Sequence, residues 1–299
     1  MARKQGLDTA GAVALLIMSV VFGINNLFIR FLNEAFQPAF SVGLRSAGAA
    51  VVVWLWMQWA GVALRLPRES IGAALLIGLL FGSEFLLLFI AIDLTTVVRA
   101  SVLFYSMPVW LALGAHFLID GERLTGQRIA GLTIAFAGVV LAFADRLEGG
   151  AGSLLGDVLA LVAAMCWASV VLVIRSTSLS RVAPEIQLLS QLVISAPLMV
   201  LAAPLLGGDL IREPAPIHIL WYLLTTVGVA AIAFIAWFRL LAVYPSWTVA
   251  SFSFLTPVAA VLAGWLVLGE PVGPLIFAAL FAVAAGIVLI NRPPRAARR

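Results

Sequence analysis

The sequence predicts an all-α integral membrane protein of ten transmembrane helices, arranged as two inverted five-helix repeats. Three observations carry this expectation. The chain is 63% hydrophobic and 11% charged, with a mean hydropathy of +1.13, whereas soluble domains average about 25% charged residues. Its apolar residues fall into ten runs, each near the ~20 residues a helix needs to cross a bilayer. One stretch also occurs twice, as Val97–Phe143 and Val249–Ile290. Pro108 answers to Pro257, and Gly121-Glu122 to Gly269-Glu270. Gly138-Val139-Val140-Leu141 answers to Gly286-Ile287-Val288-Leu289. Such internal repetition takes precedence in reading a fold.

In chain order, Arg3 and Lys4 precede an apolar run from Ala10 to Leu32. It is too long for a signal-peptide core and no small-residue cleavage site follows, so it reads as a retained first span. The next spans fall near Pro38–Ala60, Ile71–Ile92, Val97–Ile119 and Gln127–Ala144. A polar segment, Asp145–Ser153, separates a first repeat (1–146) from a second (153–299). The second repeat holds Leu154–Ile174, Pro184–Ala203, Ile217–Leu241, Trp247–Leu268 and Val272–Ile290. All ten must be helices, because lipid offers unpaired backbone groups no partner. Leu15–Arg30 resembles Ala160–Arg175, and Pro38 and Pro184 both open a helix at the position where proline is tolerated. Five spans is an odd number, so the second copy must lie upside down relative to the first, a plan shared by secondary transporters.

Charge sets the expected orientation. With the N-terminus inside, the cytoplasmic segments hold Arg3, Lys4, Arg65, Arg68, Arg123, Arg128, Arg175, Arg181, Arg239 and the four arginines of the tail. The outside holds Arg30, Arg99, Arg146 and Arg212. The positive-inside rule then puts both termini in the cytoplasm. This bias also accounts for the pI near 10 better than nucleic-acid binding does. One cysteine and two histidines leave no basis for a disulfide, a metal site or a cofactor. Neither a Gly-x-Ser-x-Gly elbow nor a His-Glu-x-x-His motif is present, which argues against an intramembrane enzyme. The polar residues are scattered and do not repeat as the rings a channel would need.

On these residues, above all the doubled Pro…Gly-Glu pattern, the chain resembles the EamA-type branch of the drug/metabolite transporter superfamily. Within it the chain is most similar to the YddG-type amino-acid exporters. The resemblance covers nearly the whole chain. It implies export of amino acids or similar small metabolites across a bacterial inner membrane by alternating access, with no cofactor. The same fold elsewhere carries drugs, nucleotide-linked sugars or vitamins. Fold alone does not name the cargo.

Polar groups at membrane depth are the candidates for the substrate site. Asn25 and Asn26 lie deep in the first span and can bind a substrate or hold helices together. Arg45, about two turns into the second span, can attract a carboxylate or snorkel toward a headgroup. Glu84 is the one acid placed well inside a span, where it can carry a proton, bind an ammonium group, or pair with Arg45. Ser101, Tyr105 and Pro108 share one helix face, and Ser253, Thr256 and Ala260 share a similar one. Pro108 and Pro257 are expected to interrupt their helices and serve as hinges. Phe22, Tyr105, Trp167 and Trp237 can line an apolar pocket, whereas Trp54, Trp56, Trp59 and Trp221 suit the bilayer interface. The cavity is expected between the halves, lined by spans 1, 3, 4, 6, 8 and 9. Glu122 and Glu270 read as solvated or as caps of the helices that follow them. Ala278, Ala282 and Gly286 form a small-residue face for packing within a monomer or for a dimer contact.

Overall fold

The computed structural model describes residues 8–119, 122, 124–147, 152–244, 252 and 255–291. It is built of helices: α1 (Thr9–Ala35), α2 (Pro38–Ala60), α3 (Ile71–Leu94), α4 (Val97–Phe104), α5 (Met107–Leu118) and α6 (Gly126–Leu147). After these come α7 (Leu154–Ser176), α8 (Pro184–Ala202), α9 (Pro216–Leu223), α10 (Phe234–Val243), α11 (Leu255–Leu268) and α12 (Pro274–Asn291). Among the described residues nine helical segments are long and apolar enough to cross a membrane, and Leu255–Leu268 is a shorter apolar helix. The surface suits that role. Val140, Leu201, Phe281 and many other large apolar side chains point outward, while Asn26, Arg45, Glu84 and Asp157 are buried. This is a multi-pass α-helical membrane protein.

Local sequence explains where the helices start and stop. The Asp8 carboxylate accepts the Gly11 N–H at the start of α1, and Gln37 caps α2 ahead of Pro38. Gly61, at φ 67°, ends α2 in the left-handed conformation that only glycine adopts freely. Ser153 caps α7 by accepting the Gly156 N–H. The fourth span is not one bent helix. It breaks at Tyr105-Ser106, and Pro108 stands in the first turn of α5, where its missing N–H costs nothing. Pro257 lies in the first described turn of α11, and Phe252 before it is also helical. Between α9 and α10 the chain winds as a ten-residue π-helix, Leu224–Ala233.

Contacts between loops define two ends of the bundle. At the near end, beside the start of α1, Tyr244 donates to Asp8. There also Ser70 meets Ser178, Arg181 pairs with Glu69 and Arg175 pairs with Glu122. At the far end, Phe36 and Ile211 form an isolated antiparallel bridge, and the Ser153 N–H donates to Leu94 O at 2.9 Å. The principal packing runs between the two halves of the chain: α1 on α11, α2 on α8, α3 on α7 and on α8, and α6 on α12.

Small residues permit the closest of these approaches. A Cβ on Gly286 would stand 2.6 Å from Gly131 O, and one on Gly138 would stand 2.8 Å from Ala279 O. The packing stripe of α12 is therefore Ala279, Val283, Gly286 and Ile290 against α6. The expected packing of the Ala278 face within the monomer is corrected, because Ala278 itself is exposed.

Candidate functional site

Four elements bring buried polar groups together near the middle of the bundle. Arg45 of α2 is 2% exposed and Glu84 of α3 is 1% exposed. The Arg45 guanidinium lies 4.0 Å from the Phe85 ring centroid, and its Nε donates a long bond, 3.4 Å, to Thr225 O of the π-helix. Its Nη2 has no protein partner, and neither has Glu84 Oε2. Each lies within electrostatic reach of the other. The expected Arg45–Glu84 ion pair is nevertheless not formed. The guanidinium is held instead by a ring face, a favourable seat for a cation, and by a carbonyl of the second half. Beside them, Ser195 of α8 donates to Ser46 of α2 at 3.0 Å, where Gly82 of α3 leaves room for Ser195.

A second polar group lies between α1, α4 and α11. Asn26 Nδ2 donates to Ser101 Oγ at 2.9 Å, and Ser101 donates to Val97 O. Asn25 Oδ1 and Asn26 Oδ1 are buried without protein partners. Tyr105, buried at the break between α4 and α5, donates to Phe22 O at 2.9 Å. Phe22 meets Trp237 edge-on at 5.7 Å and Phe234 at 5.3 Å. Thr256 is buried where α1 meets α11, and its carbonyl lies against Gly23. Ser253 lies outside the described residues.

The candidates thus divide. Asn26, Ser101, Tyr105 and Trp237 join through α1. Arg45 and Glu84 form a separate centre between α2, α3, α8 and the π-helix. Trp167 is half-buried against the main core, and Trp237 belongs to a smaller cluster with Leu15 and Tyr244. The two tryptophans do not share one wall. Two crevices open on the bundle's periphery, one along α6, α11 and α12 and one beside α2 and α9, and none of the candidate residues lines either.

Three features lie outside the sequence expectations. The first is Arg99, assigned above to the outer loops but only 2% exposed. Its Nη1 donates to Asp145 at 2.6 Å, and its Nη2 donates to Asp157 at 2.6 Å and to Ala142 O at 2.8 Å. Its Nε also donates to Asp157, which takes a further bond from Thr95. The second is Glu270, whose two carboxylate oxygens accept the Val97 and Val98 N–H groups at 2.8 Å each. It caps α4 of the first half and not the helix that follows it, where a negative charge suits a helix N-terminus. Burial pushes this carboxyl above the usual range, opposed by those two N–H groups and by Arg30. The third is the π-helix, a winding often found at functional sites. The Gly-Glu repeat was the available signal for Glu270, and an aspartate in the first turn of α7 was the signal for Asp157. No local sequence feature marks the π-helix.

Among the described residues no cluster of three or more metal-ligating side chains occurs. Buried charges inside an apolar, polytopic bundle, with the two halves packed through each other, define a multi-pass membrane protein with a polar interior. Comparison with known proteins gives the family. The profile of the EamA-like transporter family matches residues 9–144 and again 154–292. The chain belongs to this family, and is therefore a transporter and not an enzyme. It is 30% identical to a probable amino-acid metabolite efflux pump of Salmonella typhimurium, over 97% of this chain and 95% of that one. Its identity to the Escherichia coli protein of the same description is 28%, with the same coverage. A crystal structure sharing 21% identity superposes with a TM-score of 0.65, covering 94% of this chain and 97% of that chain, which is a likeness of fold.

Proposed function

We propose that this protein is a secondary transporter that exports amino acids or similar small metabolites by alternating access. It would span a bacterial inner membrane as ten helices in two inverted repeats, 1–146 and 153–299, with both termini cytoplasmic. The observation that carries this reading is the polar centre at the junction of the halves. Arg45 of the first half, with Glu84 in its electrostatic reach, bonds Thr225 of the second, and Ser46 of the first takes a bond from Ser195 of the second; carriers of inverted-repeat design bind cargo at that interface. The double match of the family profile supports the duplication. The description of these two relatives as probable amino-acid metabolite efflux pumps supports the cargo. In this scheme Pro108, in the first turn of α5, and Pro257 of α11 serve as hinges, and the protein works as a monomer. The Lys/Arg distribution supports the orientation, and a cytoplasm-only reporter fused after Arg299 should be active.

Counterflow tests the proposal. Purified protein in liposomes loaded with unlabelled amino acids should transiently accumulate labelled amino acid from outside, with saturable kinetics. Uptake that never saturates would favour a channel. A panel in which no amino acid exchanges would overturn the cargo.

A further inference from the structure

The geometry points to the Arg45–Glu84 centre as a recognition site for the paired charges of an α-amino acid main chain, its carboxylate on Arg45 Nη2 and its ammonium on Glu84 Oε2. This deepens the amino-acid reading above and rests on it. It commits to more, namely that the site reads the dipole common to all α-amino acids and leaves the side chain to weaker apolar contacts.

The argument starts from a cost. A charge taken out of water is expensive unless it is paired and hydrogen-bonded. Arg45 and Glu84 are both almost wholly buried, yet each keeps one polar atom without a protein partner. The surrounding chain does not supply the missing bonds. Glu84 has Cys166 of α7 in electrostatic reach, a poor donor. Arg45 has the Phe85 ring beneath it and a single long bond to Thr225 O. Two opposite charges that close in apolar surroundings would ordinarily collapse into an ion pair. Here the ring contact holds the guanidinium away from the carboxylate, so a donor and an acceptor of opposite charge stay separate and unsatisfied. A zwitterion presents the complementary set, an acceptor carboxylate and a donor ammonium, and satisfies both at once. A simple anion or a simple cation would leave one buried charge as it was.

The site is also tied to the second half of the chain. Thr225, which accepts from Arg45, lies in the π-helix between α9 and α10, a winding that recurs at functional sites.

The test uses the wild-type protein first. In counterflow by proteoliposomes, a free α-amino acid should compete with labelled substrate. Its methyl ester, which lacks the carboxylate, and its deaminated acid, which lacks the ammonium, should each compete about 10- to 100-fold more weakly, the worth of one charge-assisted bond. Replacing one apolar side chain by another of similar size should matter less. Glu84→Gln should then lose the discrimination against the deaminated acid, and Arg45→Gln that against the ester. Wild-type competition by ester and deaminated acid as strong as by the amino acid overturns the inference while leaving amino-acid transport intact. Failure of every amino acid to exchange overturns the reading on which it rests. The wild-type panel decides the matter even where a variant does not fold.

Discussion

Arg99 and Arg45 are buried to the same extent in one bundle, and their surroundings differ in kind. Arg99 makes four hydrogen bonds to Asp145, Asp157 and Ala142 O, and Asp157 is itself completed by Thr95. Arg45 makes one long bond and keeps a free Nη2. The first arrangement joins α4, α6 and α7 at the far end, so it ties the first half of the chain to the second. The second leaves a buried charge short of a hydrogen-bond partner at the contact between the halves. A buried charge that its own protein satisfies has a structural use, and one that it leaves wanting is available for a ligand.

The strongest way to break this comparison is at Arg99. Arg99→Gln leaves Asp157, 0% exposed, as a buried carboxylate without its cation. Removing one partner of a buried pair costs about 3–5 kcal/mol, so thermal stability in detergent should fall sharply. The double variant Arg99→Gln, Asp157→Asn should recover part of that loss. If Arg99→Gln melts like the wild type, the network is not the tie between halves described here.

Glu270 and Glu122 sharpen the contrast at intermediate scale. They are matching residues of the two Gly-Glu turns with different partners. Glu270 seats in the first turn of α4, so Glu270→Ala leaves two helix-start N–H groups without acceptors, a loss of about 1–2 kcal/mol. Glu122 instead pairs with Arg175 in a setting where both side chains are part-exposed. Such pairs contribute roughly 0–1 kcal/mol and weaken with salt, so Glu122→Ala should be the milder change and only its effect should shrink in high salt. Equal losses from both would mean that the two turns do the same work.

This pair also shows what the sequence can and cannot convey. The repeat, the apolar runs and the isolation of Glu84 are local patterns, so the all-helical membrane architecture and a buried acid are legible in the letters. Pro108 marked an interruption, although the break falls at Tyr105-Ser106 and the proline opens the next helix. The partner of Glu270 was not legible, because Val97 lies in the other half of the chain and nothing near Glu270 names it. Arg99 was misplaced because an arginine near a helix start looks like a surface charge until Asp145 and Asp157 are brought against it. The π-helix escapes for a further reason: Leu224–Ala233 is apolar and small-residue-rich, and its composition serves α and π winding equally.

The smallest stability effect, and the one that tests the comparison most directly, belongs to the Arg45–Glu84 centre. Neutralising Arg45 removes a cation–π contact worth roughly 0.5–2 kcal/mol and a weak bond to Thr225 O. It also removes the cost of holding a guanidinium with an unpartnered Nη2 out of water. These terms oppose each other, and so do those for Glu84, which loses the attraction of Arg45 but sheds an unpartnered buried carboxylate. Arg45→Gln and Glu84→Gln should therefore each shift stability by less than about 1 kcal/mol, the balance expected when desolvation and attraction nearly cancel. Their double variant should recover at most a small part of the summed single effects, since the two groups attract each other without forming an ion pair. A structural pair would show the Arg99 pattern instead, with a large loss in each single variant and recovery in the double. That outcome, read from melting in detergent without added amino acid, would make Arg45 a second Arg99 and remove the distinction between a charge that holds the bundle and one that awaits a ligand.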